Sequence, residues 1–197
     1  GIQLDDAAYG SLEGLVTEAE ALDRATLTPE SLVVLDAALV RASFVLGSPA
    51  PSQASVDGAA VQLTAAIAGL ERRPFTDVAD DNVFRTEIQW LAKAGVSTGW
   101  VDPVTGEAEF RPLAPIGRDA MAAFLFRLLG DKGYEAPTVS PFVDVATTDA
   151  FYREIAWLSE EGISTGWATS AGAEFRPLAP IARDAMAAFL YRAAGEP

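Results

Sequence analysis

A chain of 197 residues, half of them apolar, has the length for one large or two small domains and the composition of a globular protein. Cysteine and histidine are both absent, which excludes disulfides, thiol chemistry, Cys/His zinc sites and any nucleophile activated by histidine. The net charge is −14, with four basic against ten acidic residues in 1–73 and ten against eighteen in 74–197, so neither part offers the basic face that nucleic acid needs.

No apolar run approaches the roughly 20 residues of a membrane helix, so no membrane insertion is expected. The chain begins at Gly1 without Met and is read as a fragment or processed product, so a missing targeting segment says nothing about export.

Three apolar-periodic segments occupy residues 4–72. The first, Ser11 to Asp23, sets Leu12, Leu15, Val16, Ala19 and Leu22 on one helical stripe. Thr28-Pro29-Glu30 then has the form of an N-cap with proline at the first helical position. The helix that follows turns Leu32, Leu35, Leu39, Ala42, Val45 and Leu46 inward and stops at Gly47. Ser52 caps a third helix, whose stripe is Val56, Ala59, Ala60, Leu63, Ile67 and Leu70. The expected fold is a three-helix bundle over 1–72, stabilised mainly by packing of its stripes. This order of features resembles the FIVAR module of bacterial exported proteins, which implies a secreted or wall-associated spacer, with glycan or host-protein binding in some members. Pro74 ends the pattern.

The remaining residues hold a duplication. Phe110 to Gly130 and Phe175 to Gly195 are identical at 17 of 21 positions. The repeat extends upstream at an offset of 67, pairing Phe75-Thr-Asp77-Val78 with Phe142-Val-Asp144-Val145, Trp90 with Trp157, and Ser97-Thr-Gly-Trp100 with Ser164-Thr-Gly-Trp167. A loop two residues shorter then changes the offset to 65 and marks a surface position. Each unit reads as helix, long loop, helix. Asp81 or Thr148 is placed to cap the first helix, Phe84, Ile88 and Leu91 form its buried face, and Gly95 ends it. In the second helix Met121, Phe124, Leu125 and Leu128 point inward, as do Met186, Phe189 and Leu190. One unit has too little core to stand alone, so neighbouring units are expected to pack together. The expected architecture is all-α: a three-helix bundle (1–72), then two helix-loop-helix repeats (73–137 and 138–197) with at most very short strands.

The FxDV openings, the helices ending in Gly95 and Gly162, and the FRPLAPI-x-RD segments resemble S-layer homology (SLH) repeats, and the STGW and RDAMAAFL variants look like the actinobacterial form. The resemblance covers 74–195. It implies non-covalent anchoring of an exported protein to the cell wall, with a secondary cell-wall polymer, often pyruvylated, as partner and an extracellular, wall-associated location. The family's Ile-Thr-Arg-Ala-Glu-like motif survives as Ile116 with Arg118 and Ile181 with Arg183. Its Thr and Glu, which form a capping box, are replaced by Gly117 and Ala120 and by Ala182 and Ala185. Asp119 and Asp184 in the first turn partly compensate through the helix dipole. The family usually shows three repeats; here there are two, so another chain or an additional SLH repeat could complete the grooves between units.

Arg118 and Arg183 stand at helix N-termini, where a cation gains nothing from the dipole, which calls for a nearby anion. That anion is either a ligand carboxylate or phosphate, held beside free helix N–H groups, or an intramolecular acid such as Asp77 or Asp144. Asp119 and Asp184 are counted with the binding residues. Trp100 and Trp167 serve either as a sugar-stacking platform or as a wedge between repeats. Trp90 and Trp157 are assigned to packing. Arg111 and Arg176, before proline, brace the loop or touch ligand. A protein at −14 repels an anionic polymer at long range, so binding must come from local arginines and be only modestly salt-sensitive. No two carboxylates recur in a setting that separates their pKa values, so neither catalysis nor a cofactor is expected. The competing class is a protein-interaction or self-assembly module, including a homo-oligomer, that binds no wall polymer.

Overall fold

The computed structural model describes residues 6–195. The first five residues of the 1–72 module and the last two of the 138–197 repeat lie outside them. The chain forms two compact units, residues 1–76 and 77–197. It is mostly helical, with two short two-stranded sheets, as the periodicity predicts. Among the described residues, no helix is long and apolar enough to cross a membrane.

The first unit is built from α1 (Asp6–Glu20), a 3-10 turn (Arg24–Thr26), α2 (Pro29–Leu46) and α3 (Gln53–Ala68). Each helix packs on the other two. Helix α1 starts earlier than its apolar stripe does. Helix α2 begins as its sequence dictates, with the Thr28 hydroxyl accepting the Ser31 N–H and Pro29 in the first turn. Ser52 caps α3 through the Ser55 N–H at 3.2 Å. Leu12, Leu35, Val56 and Leu63 are fully buried and form the centre of the core. A short bridge closes the unit: the Thr28 N–H donates to the Glu71 carbonyl at 2.8 Å and the Arg73 N–H to the Thr26 carbonyl at 2.9 Å.

The second unit holds the duplication. Its first copy contributes α4 (Arg85–Lys93), strands β1 (Trp100–Val101) and β2 (Ala108–Glu109), and α5 (Arg118–Leu129). The second contributes α6 (Tyr152–Glu160), β3 (Trp167–Thr169), β4 (Gly172–Glu174) and α7 (Arg183–Ala193). Each strand pair is an antiparallel hairpin that sets tryptophan opposite glutamate, Trp100 against Glu109 and Trp167 against Glu174. Gly95 and Gly162 take the left-handed φ values of 69° and 67° that stop the preceding helices. The Trp157 edge meets Phe126 at 5.4 Å between centroids, and α5 packs on α6, so one core spans both copies.

Several local expectations give way to this shared core. Asp81 and Thr148 do not cap; Phe84 and Phe151 hold the N-cap positions without a side-chain bond, and Phe151 takes φ 60°. Phe84 is exposed, and Ile88 is the one buried residue of α4, whereas α6 buries Tyr152, Ile155, Ala156, Trp157 and Leu158. The buried face of α5 is Ala122, Ala123, Leu125 and Phe126, with Leu128 exposed; α7 buries Phe189 and leaves Leu190 exposed. Packing applies to Trp157 but not to Trp90, which faces solvent.

Candidate binding groove between the repeats

The loops that carry the candidate residues are held by the aspartates of the FxDV openings. Asp144 accepts the N–H groups of Phe175 and Arg176, both at 2.7 Å, and Asp77 accepts those of Phe110 and Arg111 at 2.7 and 2.6 Å. Two successive donors on one carboxylate need the backbone to turn sharply. Arg176 and Arg111 accordingly sit at φ 58°, a left-handed strain that these charge-assisted bonds offset. The turn points each arginine back over its hairpin. The Arg176 guanidinium lies 4.6 Å from the Trp167 ring centroid and its Nε donates to Glu174 at 3.1 Å; Arg111 lies 4.8 Å from Trp100 and donates to Glu109 at 3.1 Å. These six side chains are partly exposed, so each repeat carries a glutamate-arginine-tryptophan stack on its surface.

Arg118 is different. It leaves the start of α5 in the first repeat and is buried in the second, at 3% exposure. Its guanidinium lies 4.2 Å from the Trp167 centroid, 4.9 Å from Phe175 and 5.0 Å from Phe189, and Nε donates to the Phe175 carbonyl at 2.8 Å. Burial lowers its pKa, the nearby Arg176 charge lowers it further, and Asp144 acts in the opposite direction. Among the described residues Arg118 has no ion-pair partner. The intramolecular alternative is not realised as a salt bridge, because Asp77 and Asp144 hold backbone N–H groups instead.

The α5 N-terminus is not free for a ligand, contrary to the expectation. The Arg118 and Asp119 N–H groups donate to the Ala179 and Pro177 carbonyls, both at 3.0 Å, and Ile181 N–H returns to the Ile116 carbonyl at 3.1 Å. The second repeat's proline-rich segment thus replaces the lost capping box. Asp119 Oδ1 accepts the Ala120 N–H at 2.7 Å, as Asp184 Oδ1 accepts that of Ala185. Arg183 at the start of α7 is exposed and joins no such cage.

The structure therefore gathers Arg118, Trp167 and Arg176 at one place, sets Trp100 and Arg111 at a second, and leaves Arg183 apart. Phe175 and Phe189 complete the cage around Arg118; Phe189 was expected to point inward, whereas Phe175 was not singled out from the sequence. Asp77 and Asp144, expected as candidate partners of the arginine side chains, hold backbone N–H groups instead. Asp77 and Asp144 had a legible signal in their recurrence 33 and 31 residues before Phe110 and Phe175, whose N–H groups they accept. A pocket of about 460 Å³ opens beside Trp100, lined also by Phe110, Pro112, Ala114, Phe124 and Phe151.

Residues 141–187, from just before Phe142 into α7, match the family model described as the S-layer homology domain. No curated protein and no solved structure matches the chain.

Proposed function

We propose that the two repeats form a non-catalytic anchoring region that holds an exported bacterial protein to its cell wall through an acidic secondary wall polymer, with the three-helix unit as a spacer. The observation that carries this reading is the pair of guanidiniums, Arg118 and Arg176, on the single Trp167 ring, one buried and one partly exposed. Two like charges at one ring repel, and an anionic group entering between Arg176 and the groove relieves that repulsion. The indole face and the charge together suit an acidic sugar, the ring packing on apolar sugar surface while guanidinium binds carboxylate. The family match at 141–187 supports the same assignment, since it covers Trp167, Arg176 and Arg183.

Arg118 is a poor residue to mutate for this test, because it also docks one repeat on the other. Arg176→Gln removes charge from the exposed side only. The full chain is incubated with purified wall sacculi and sedimented. Arg176→Gln is expected to bind about tenfold more weakly, the size of one lost charge-assisted contact. Arg24→Gln, a partly exposed arginine of the first unit, serves as the control and should bind as the wild type does. Equal sedimentation of Arg176→Gln and wild type sinks the proposal.

A further inference from the structure

The junction between the repeats has two sides, and each repeat carries both. In the chain, the giving side is the start and outer face of α5, and the receiving side is α6 with the Trp167 cage. The offsets of the duplication identify the copies left over: α7 is a second giving side, and α4 with the 460 Å³ pocket is a second receiving side.

The correspondence holds residue by residue. Trp167, Phe175 and Phe189 surround Arg118, and their counterparts Trp100, Phe110 and Phe124 all line the open pocket. The carbonyls of Pro177 and Ala179 take the first N–H groups of α5, and their counterparts Pro112 and Ala114 line that pocket too. Arg183, the counterpart of Arg118, is exposed. Burial follows the same pattern. Leu125 and Phe126 are 4% and 6% exposed against α6, while their counterparts Leu190 and Tyr191 on α7 are 53% and 51% exposed. Trp157 is 6% exposed against α5, whereas Trp90 on α4 is 52% exposed. Helices α5 and α7 are nearly identical in sequence and differ in exposure because one has its neighbour and the other lacks it; α4 and α6 share Glu, Ile, Trp and Leu at equivalent places and differ the same way at their tryptophans. Within one chain the leftover halves do not meet, since Arg183 is exposed while the pocket stands open.

We infer that this chain associates head to tail, the α7 start and outer face of one copy seating on α4 and the Trp100 pocket of the next, as α5 seats on α6 within the chain. Arg183 then fills the pocket as Arg118 fills its own cage, and its charge enters a chain of net −14. The receiving face on α4 is more polar than that on α6, with Arg85, paired to Asp80, and Gln89 where α6 buries Tyr152 and Ala156. The interface is heterologous, so each dimer keeps one free giving side and one free receiving side, and growth continues to a ring or a filament. The completed junction also sets Arg183 beside Arg111 and Trp100, recreating the cationic groove. The association itself does not rest on wall binding.

The test is the solution mass of the full chain, without wall polymer, from about 1 to 500 µM, a range that spans micromolar to near-millimolar affinity. Wild type is expected to rise above the monomer mass with concentration. Arg183→Glu on the giving side and Trp90→Glu on the receiving side are both exposed changes, with folding checked by circular dichroism. Each is expected to weaken association at least tenfold. An equimolar mixture of the two, which retains one good side from each, is expected to stop at a dimer. A wild type that stays monomeric overturns the inference, as does either variant associating like wild type or a mixture that fails to pair. A pocket that binds a wall-polymer fragment or an added repeat on a monomeric chain overturns it as well.

Discussion

The aromatic side chains at the repeat junction respond to solvent in ways their positions explain. Tyr134 follows α5 and packs its ring 6.1 Å from Phe126, with the hydroxyl shielded from water. Burial pushes its pKa up to about 12, and the neighbouring Glu160 carboxylate adds to the shift. The folded-state value is raised above the ordinary one, so the folded state keeps its proton longer than the unfolded chain does. Its contribution to stability is therefore complete below about pH 10 and is lost as pH rises through about 12. Denaturant midpoints across that window should fall more steeply for wild type than for Tyr134→Phe; parallel curves would show that Tyr134 does not carry the effect. Arg118 shows how much of a site escapes a linear reading. Its place at a helix N-terminus and its need for compensation were legible. That three aromatic rings of the other repeat would supply its surroundings was not, because Trp167, Phe175 and Phe189 converge only after the loop turns at Arg176.

Among the elements, the loop between hairpin and second helix depends on a single carboxylate. Asp144→Ala removes the acceptor of two N–H groups, one of them on the fully buried Phe175, and releases the left-handed turn at Arg176. The loss is expected at about 2–3 kcal/mol by chemical denaturation, the range for charged hydrogen bonds left unmade. Asp77→Ala should cost less, because Phe110 is only partly buried. Equal losses would show that burial of the donor does not set the difference. The helices themselves were largely legible: Thr28 and Ser52 start theirs as capping residues do, and Gly95 and Gly162 end theirs. The buried faces of α4 and α7 were not. Leu125 and Leu190 occupy equivalent places in nearly identical helices, and their fates diverge because α6 covers one and no described element covers the other. Periodicity reports which residues can be buried; the neighbour decides which are.

For the whole molecule, the net charge of −14 and the arginines of the groove act over different distances. Added salt screens the general repulsion of an anionic polymer beyond roughly 8 Å and leaves close guanidinium contacts less affected. Wall binding is therefore expected to change less than tenfold between about 50 and 200 mM salt, in contrast to the steep losses of a basic polyanion binder. A loss of several hundredfold in sedimentation assays would point to a diffuse electrostatic mode instead. The bridge that closes the first unit has a mechanical consequence for a chain tethered at a surface. Tension applied beyond Arg73 reaches the Thr28–Glu71 and Thr26–Arg73 backbone bonds and the Arg73 Nε bond to the Leu27 carbonyl, at 2.8, 2.9 and 2.9 Å, before it can unwind α3. These bonds clasp the outgoing chain to the front of α2, so a pulling force loads the bundle across two helices at once rather than peeling one from its end.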